Sequence, residues 1–262
     1  MKKIGIIGCG VIGGGFARYF ANGNQLFLFD RNQDCTTQLS QNLGKSVQIA
    51  QSIDELISKT DFIILSVKPQ HLSEVAQAIS VNLKTTQLLI STLAGVSLER
   101  LQNCFSSVSI LRIMPNLACF SGKGIIALVE NSLINKDQKQ EINHLFSKLG
   151  FKLWVDEKKI DALTALSASG PAFLFVIMEA MVDAGILIGL TAGESQNLVL
   201  EMFRGTIEMT KKTNKSFGEF KWEISSPLGT TIAGIREMEK QGIRTGIIET
   251  IMATYQRAKE LA

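Results

Sequence analysis

Residues 3–13 read Lys3-Ile4-Gly5-Ile6-Ile7-Gly8-Cys9-Gly10-Val11-Ile12-Gly13, and this stretch decides the first half of the fold. Lys3–Ile7 is a short apolar run bounded by glycine, which reads as a buried strand. Three glycines follow at G-x-G-x-x-G spacing, and an amphipathic run from Val11 to Ala21 opens on them. A strand that turns through glycines into a helix presents free N–H groups and the positive helix end to an anion. Gly8 serves the tight turn, Gly10 lets backbone approach a pyrophosphate, and Gly13 lets the helix pack closely. Val11 and Ile12 lie between them in the same site. The spacing alone is a weak signal; its place directly after a strand makes it a dinucleotide-binding motif. The same residues do not suit an export leader, because the apolar run before Cys9 is shorter than the ~7–15 residues such a leader needs.

Outward from that motif, strands and helices alternate. Strands are expected at Lys3–Ile7, Gln25–Asp30, Asp61–Val67, Gln87–Ser91, Val108–Met114, Gly124–Val129 and Phe151–Val155. Helices are expected at Val11–Ala21, Asp34–Leu43, Pro69–Val81, Ser97–Asn103 and Lys136–Leu149. Alternation of this kind builds βαβ units and a mainly parallel sheet. After Asp156 only helical periodicity remains, near Lys158–Leu166, Pro171–Ile188, Ala192–Lys212, Thr230–Gln241 and Gly246–Ala262. The expected class is α/β: a Rossmann-type dinucleotide-binding domain over 1–158, then an all-α domain over 159–262.

The chain has 262 residues, 45% apolar and 19% charged, with a net charge of +3. That excludes a disordered chain and gives no footprint for a nucleic-acid partner. Cys9, Cys35, Cys104 and Cys119 form no C-x-x-C pair, and His71 and His144 lie far apart, so no metal site is expected. Free thiols suit a cytoplasmic protein. From Ala162 to Leu200 the only charges are Glu179, Asp183 and Glu194. Two carboxylates a turn apart at mid-span make a membrane helix costly, so no membrane partner is expected. A helix apolar all round must still be covered, and a second copy of the chain is the expected cover.

Further residues cluster where strands end. Asp30, twenty residues after Gly10, stands where an acidic residue holds the ribose hydroxyls of NAD, while the adjacent Arg31 suits the 2′-phosphate of NADP. Val67-Lys68-Pro69 follows the third strand, with Pro69 suited to start a helix. Asn116 follows a strand in Met114-Pro115-Asn116. Ser167-Ala168-Ser169-Gly170-Pro171 reads as a serine-capped helix start. In Ser226-Pro227-Leu228-Gly229-Thr230-Thr231, backbone N–H groups and hydroxyls at a helix start suit a small carboxylate. No histidine or lysine stands out as the acid that carbonyl reduction needs, which tilts the chemistry toward an imine.

With these motifs in place, the chain resembles the pyrroline-5-carboxylate reductases along essentially its whole length. The N-terminal glycine motif, Val67-Lys68-Pro69-Gln70, Ala94-Gly95-Val96, Met114-Pro115-Asn116, Ser169-Gly170-Pro171-Ala172-Phe173, Glu179-Ala180, Asp183-Ala184-Gly185 and Ser226–Gly234 carry the resemblance, the last most specifically. It implies reduction of Δ1-pyrroline-5-carboxylate to L-proline, the last step of proline biosynthesis, with NADPH or NADH. It implies a helical domain that pairs two subunits, in a homodimer and often a ring of five dimers. Ser226 and the backbone of Gly229, Thr230 and Thr231 would hold the substrate carboxylate. The Thr231 hydroxyl would hydrogen-bond the ring nitrogen, as the catalytic residue. Gly8, Gly10, Gly13, Arg31, Lys68 and Asn116 would line the cofactor site.

Three positions depart from the family's pattern. Leu228 replaces the first glycine of Ser-Pro-Gly-Gly and is strained if its φ is positive. Leu117-Ala118 follows Asn116 where Thr-Pro is usual. Ile53 stands where a polar residue often faces the adenosine, and with Asp30 it opens the cofactor choice to NADH. These departures admit two alternatives: a reductase of another cyclic imine, and a dinucleotide-binding regulator without catalysis. A β-hydroxyacid dehydrogenase would carry a lysine on its long helix, and Pro171–Leu190 has none.

Overall fold

The computed structural model describes residues 1–80 and 82–261; Val81 and Ala262, the expected ends of two helices, lie outside them. The chain divides into two compact units, Met1–Ala168 with Tyr255–Ala262, and Ser169–Thr254.

Among the described residues of the first unit, eight strands form one sheet: β1 (Lys3–Ile7), β2 (Gln25–Phe29), β3 (Val47–Ile49), β4 (Phe62–Leu65), β5 (Leu88–Ser91), β6 (Ser109–Pro115), β7 (Gly124–Glu130) and β8 (Gly150–Trp154). Their order is β3-β2-β1-β4-β5-β6-β7-β8. Every pairing is parallel except β6 with β7. The helices of this unit are α1 (Val11–Phe20), α2 (Gln33–Leu43), α3 (Ile53–Lys59), α4 (Leu72–Ile79), α5 (Leu98–Cys104), α6 (Lys136–Leu145) and α7 (Ile160–Leu163). β3 and α3 were not expected from the sequence. A three-residue strand with one buried side chain leaves no period to read. Pro69 starts a 3-10 turn over Pro69–His71 rather than the helix itself, which begins at Leu72.

Each strand feeds both faces of the sheet, because successive side chains alternate. Ile4, Ile6, Leu26, Leu28, Phe62 and Ile64 point to one side, where Phe16, Phe20 and Phe146 pack over them. Ile7, Phe27, Ile63 and Leu65 point to the other, under Leu56, Ile57, Leu72 and Val75. All of these are nearly or wholly buried, and each such side chain contributes roughly 1.5–3 kcal/mol. Continuous burial along β1 and β4 is why their sequences read as unbroken apolar runs. Ile160 packs on Met114, Ala127 and Val129, which ties α7 to the sheet.

After α7 the chain winds into a π-helical stretch, Thr164–Ala168. The serines there do not cap a new helix, contrary to the expectation. Ser169 is helical and bonds nothing with its side chain, and the Ser167 hydroxyl donates to the Leu163 carbonyl at 2.6 Å. The helix runs on, so there is no exposed N-terminus to cap.

The second unit is helical: α8 (Gly170–Leu187), α9 (Ala192–Lys211), α10 (Phe217–Glu223) and α11 (Thr230–Lys240), with α12 (Ile243–Leu261) belonging to it up to Thr254 and to the first unit from Tyr255. Thr191 and Glu194 form a reciprocal capping box at the start of α9. α8 and α9 meet where Gly185 lies against the buried Ser195; a side chain at 185 would overlap the Ser195 hydroxyl. Much of the rest of α8 is exposed. Phe175, Val176, Leu187 and Ile188 are each more than 60% exposed. The continuous helical segment Glu157–Leu187 is long and apolar enough to cross a membrane by length and composition.

Candidate functional site

The sheet order reverses direction of growth between β1 and β4, and ligands of open parallel sheets bind outside the strand C-termini at such a point. A cavity of about 400 Å³ lies there. Gly8 and Gly10 after β1, Asp30 and Arg31 after β2, and Val67 and Lys68 after β4 line it, together with Ile53, Ser66, His71 and Glu74. A larger, open depression of about 1010 Å³ is lined by Lys2, Arg18, Asn24 and His144. Lys2 and Asn24 precede β1 and β2, so it sits at the N-terminal ends of the strands, opposite the C-terminal ends that line the first cavity.

The three glycines divide the work as the motif requires. Gly8 has φ 93°, and a Cβ there would overlap the Ser66 carbonyl oxygen at the end of β4. A Cβ on Gly13 would overlap the Gly8 carbonyl oxygen, so its close approach is to the turn as well as to the sheet. Gly10 is different: a Cβ would meet no atom within 4 Å. It caps α1 with an ordinary extended backbone and no side chain covers the free N–H groups. The protein itself therefore tolerates a side chain at residue 10. What needs the space is a group resting on the helix N-terminus, and a pyrophosphate suits it. The residues present fit a dinucleotide.

Asp30 does more than end β2. One carboxylate oxygen accepts from the Cys9 N–H at 2.6 Å and the other from the Asn32 N–H at 2.8 Å. The residue expected to hold ribose hydroxyls thus clasps the glycine loop, and only its remaining lone pairs face a ligand. Cys9, inside that loop, is buried, and burial foremost, with Asp30 beside it, pushes its thiol up to about 12. Burial of this kind makes a thiol a poor nucleophile near neutral pH.

Arg31 also differs from a freely offered cation. Its guanidinium pairs with the Glu74 carboxylate of α4. Both side chains are more than half exposed, so the pair is worth at most about 1 kcal/mol. Sequence reasoning missed Glu74 because nothing local marks it; it comes to Arg31 only because α4 follows β4, which lies beside β1 on the side away from β2. Ile53, at the start of α3, lies in the cavity wall as expected.

Several expected residues lie outside this cavity. Val11 is exposed on the first turn of α1, Ile12 is half-buried and Pro69 sits in the 3-10 turn. Asn116 is buried at the end of β6. Its amide nitrogen donates to the Ser167 carbonyl at 3.1 Å, and its oxygen accepts from the Ile125 N–H at 3.1 Å. Asn116 braces β6 against β7 and the π-helical stretch. Both ends of its side-chain amide are engaged within the protein.

In the second unit, Ser226–Gly229 closes a turn: the Gly229 N–H donates to the Ser226 carbonyl at 3.1 Å. Pro227 precedes Leu228, whose φ is 59°. Proline at the second position and a positive φ at the third make the pattern of a type II turn, which asks for glycine where Leu228 stands. The expected strain is therefore present, and the leucine side chain is fully exposed. The Gly229 N–H, one of the groups expected to hold a substrate carboxylate, donates within this turn. Gly229 must still be glycine, since a Cβ would overlap the Ser226 hydroxyl. α11 then opens with no side-chain cap. Among the described residues the hydroxyls of Ser226, Thr230 and Thr231 have no protein partner. Three hydroxyls and uncapped N–H groups at one helix start form a small site for an anion that accepts hydrogen bonds.

Comparison with known proteins supports the division of labour. Residues 157–261 match the model described as pyrroline-5-carboxylate reductase dimerisation. Residues 3–95 match the model described as NADP oxidoreductase coenzyme F420-dependent. The chain is 32% identical to a pyrroline-5-carboxylate reductase of Corynebacterium melassecola over 100% of its length and 99% of the relative's. It is 38% identical to that of a Synechocystis strain, over 84% of this chain and 82% of the relative. Its fold matches the Plasmodium falciparum pyrroline carboxylate reductase, solved with NADP bound, at a TM-score of 0.90 and 29% identity, over 99% of this chain and 98% of that one.

Proposed function

The chain belongs to the pyrroline-5-carboxylate reductase family, and from that premise we propose that it is an NAD(P)H-dependent oxidoreductase that reduces Δ1-pyrroline-5-carboxylate to L-proline. This is the last step of proline biosynthesis, and the cytoplasm is the compartment that suits it. NADPH is the principal cofactor and NADH is accepted. The observation that carries this reading is the pairing of two anion-adapted helix starts in one chain. One is glycine-lined and built for a pyrophosphate. The other is built from hydroxyls and free amides for a small carboxylate.

When bound, the dihydronicotinamide supplies a hydride to the imine carbon, and the protonated ring nitrogen becomes the amine of proline. The protein's part is positioning, since reacting atoms must be held ~3–3.5 Å apart. The N–H groups after Gly10 hold the pyrophosphate, with Asp30 keeping the loop in shape. The Ser226 hydroxyl and the Thr230 and Thr231 N–H groups hold the substrate carboxylate. The Thr231 hydroxyl, which has no protein partner, accepts a hydrogen bond from the protonated ring nitrogen. No strong acid is needed, because the iminium arrives with its proton.

The second unit is the oligomerisation unit. Its largely exposed apolar helix α8 needs a cover, and a second copy of the chain supplies it, in a dimer and, in the family's usual further assembly, a decamer. This reading takes α8 as an interface helix rather than a membrane span, with Glu179 and Asp183 on it.

The test is oxidation of NADPH or NADH at 340 nm in the presence of pyrroline-5-carboxylate. Turnover with either supports the proposal. Tight dinucleotide binding without turnover would overturn it in favour of a regulator or of another cyclic imine as substrate.

A further inference from the structure

Within the cofactor cavity the ionisable side chains are Asp30, Arg31, Lys68, His71 and Glu74. Arg31 is the group placed to pair with a 2′-phosphate, and its guanidinium is already engaged by Glu74. We propose that Glu74 is a specificity-determining residue: by holding Arg31 it lowers the preference for NADPH over NADH that Arg31 alone would confer. The inference rests on the reading of this cavity as the cofactor site.

The argument is one of competition. A 2′-phosphate carries close to two negative charges at neutral pH. To reach Arg31 it must either displace the Glu74 carboxylate or lie beside it, and like charges at that range repel. Asp30 is on the same rim, so a phosphate meets two carboxylates for one arginine. Asp30 cannot turn aside, because both its oxygens are fastened to backbone N–H groups. Glu74 can: it is 62% exposed, and α4 holds it only by its own backbone. A ribose without the phosphate needs no rearrangement. The Arg31–Glu74 pair persists, and the carboxylate oxygens remain available to ribose hydroxyls.

The experiment is calorimetric titration of the full chain with NADPH and with NADH, for the native protein, Glu74→Gln and Glu74→Ala. Both variants are expected to lower the ratio Kd(NADPH)/Kd(NADH) by roughly three- to tenfold, the range of a solvent-exposed ion pair plus relief of repulsion. Glu74→Ala separates release of Arg31 from any new contact of the glutamine amide. In an Arg31→Ala background the same Glu74 variants are expected to shift the ratio clearly less, since only the direct repulsion of the phosphate by the carboxylate is left to relieve. A ratio unchanged by Glu74→Gln and Glu74→Ala overturns the proposal, as does an equal shift without Arg31. Binding of both dinucleotides without reduction of pyrroline-5-carboxylate would sink the proposed activity while leaving this ratio readable. Binding of neither would overturn both.

Discussion

The Asp30 carboxylate accepts a hydrogen bond from the backbone N–H of Cys9 at 2.6 Å, fastening the end of β2 to the glycine loop that follows β1. The acidic residue that the sequence pattern assigns to the ribose is thus also a structural clasp on the pyrophosphate loop. Asp30→Ala is expected to weaken NADPH and NADH together and to cost about 1.5–3 kcal/mol of stability, the range for hydrogen bonds to a charged group. Paired calorimetry and thermal unfolding decide it. Weaker NADH binding with unchanged stability would reduce Asp30 to a ribose ligand.

Gly10 and Gly13 separate ligand space from protein space. A Cβ on Gly10 meets nothing, whereas one on Gly13 overlaps the Gly8 carbonyl. Gly10→Val should keep the melting temperature within a few degrees and lose dinucleotide affinity by about 100-fold or more, since the side chain fills the place of the pyrophosphate. Gly13→Ala should instead lower the melting temperature, because two backbone segments must part. If Gly10→Val binds NADPH normally, the cavity is not the cofactor site.

Thr231→Ala removes a hydroxyl that has no protein partner among the described residues, so little change in stability is expected. The expected result is a 10–100-fold fall in kcat/KM for pyrroline-5-carboxylate with dinucleotide Kd unchanged, in line with loss of one hydrogen bond to a charged group. Loss of stability and cofactor affinity in step with activity would make Thr231 structural.

Leu228 holds φ 59° with its side chain in solvent. A left-handed conformation costs an L-residue roughly 1–2 kcal/mol, and the freer unfolded chain of a glycine variant gives back roughly 0.5–1. Leu228→Gly is therefore expected to stabilise the protein by about 0.5–1 kcal/mol, and Leu228→Val to destabilise it. Urea unfolding measures both. A stabilising valine would mean the turn does not hold this conformation in solution.

Cys9 and Cys119 are buried, with thiols pushed by burial to about 12 and about 11. At pH 8 a small alkylating reagent should label Cys35 and Cys104 and spare Cys9 and Cys119 in the native protein. A raised thiol pKa contributes stability that is complete below about pH 9 and is lost as pH climbs toward 12. Rapid labelling of Cys9 at pH 8 would show that the glycine loop opens.

The strand Lys3–Ile7, the glycine spacing after it and the all-helical stretch after Asp156 were legible in the sequence, because each is a local pattern of burial and backbone preference over a few residues. The strand at Val47–Ile49 was not, being too short to carry a period, and neither was the continuity of the helix through Thr164–Ala168. Leu228 was suspected of strain from one missing glycine, but only the turn closed by Gly229 assigns it a positive φ. Roles that depend on which distant residues become neighbours were decided by tertiary structure alone. Asp30 reaches Cys9 because β2 lies beside β1, Asn116 reaches Ser167 because β6 meets the π-helical stretch, and Arg31 meets Glu74 because α4 follows the strand on the other side of β1. Sheet order places these side chains, and sheet order is a property of the whole chain's packing, which no local pattern encodes.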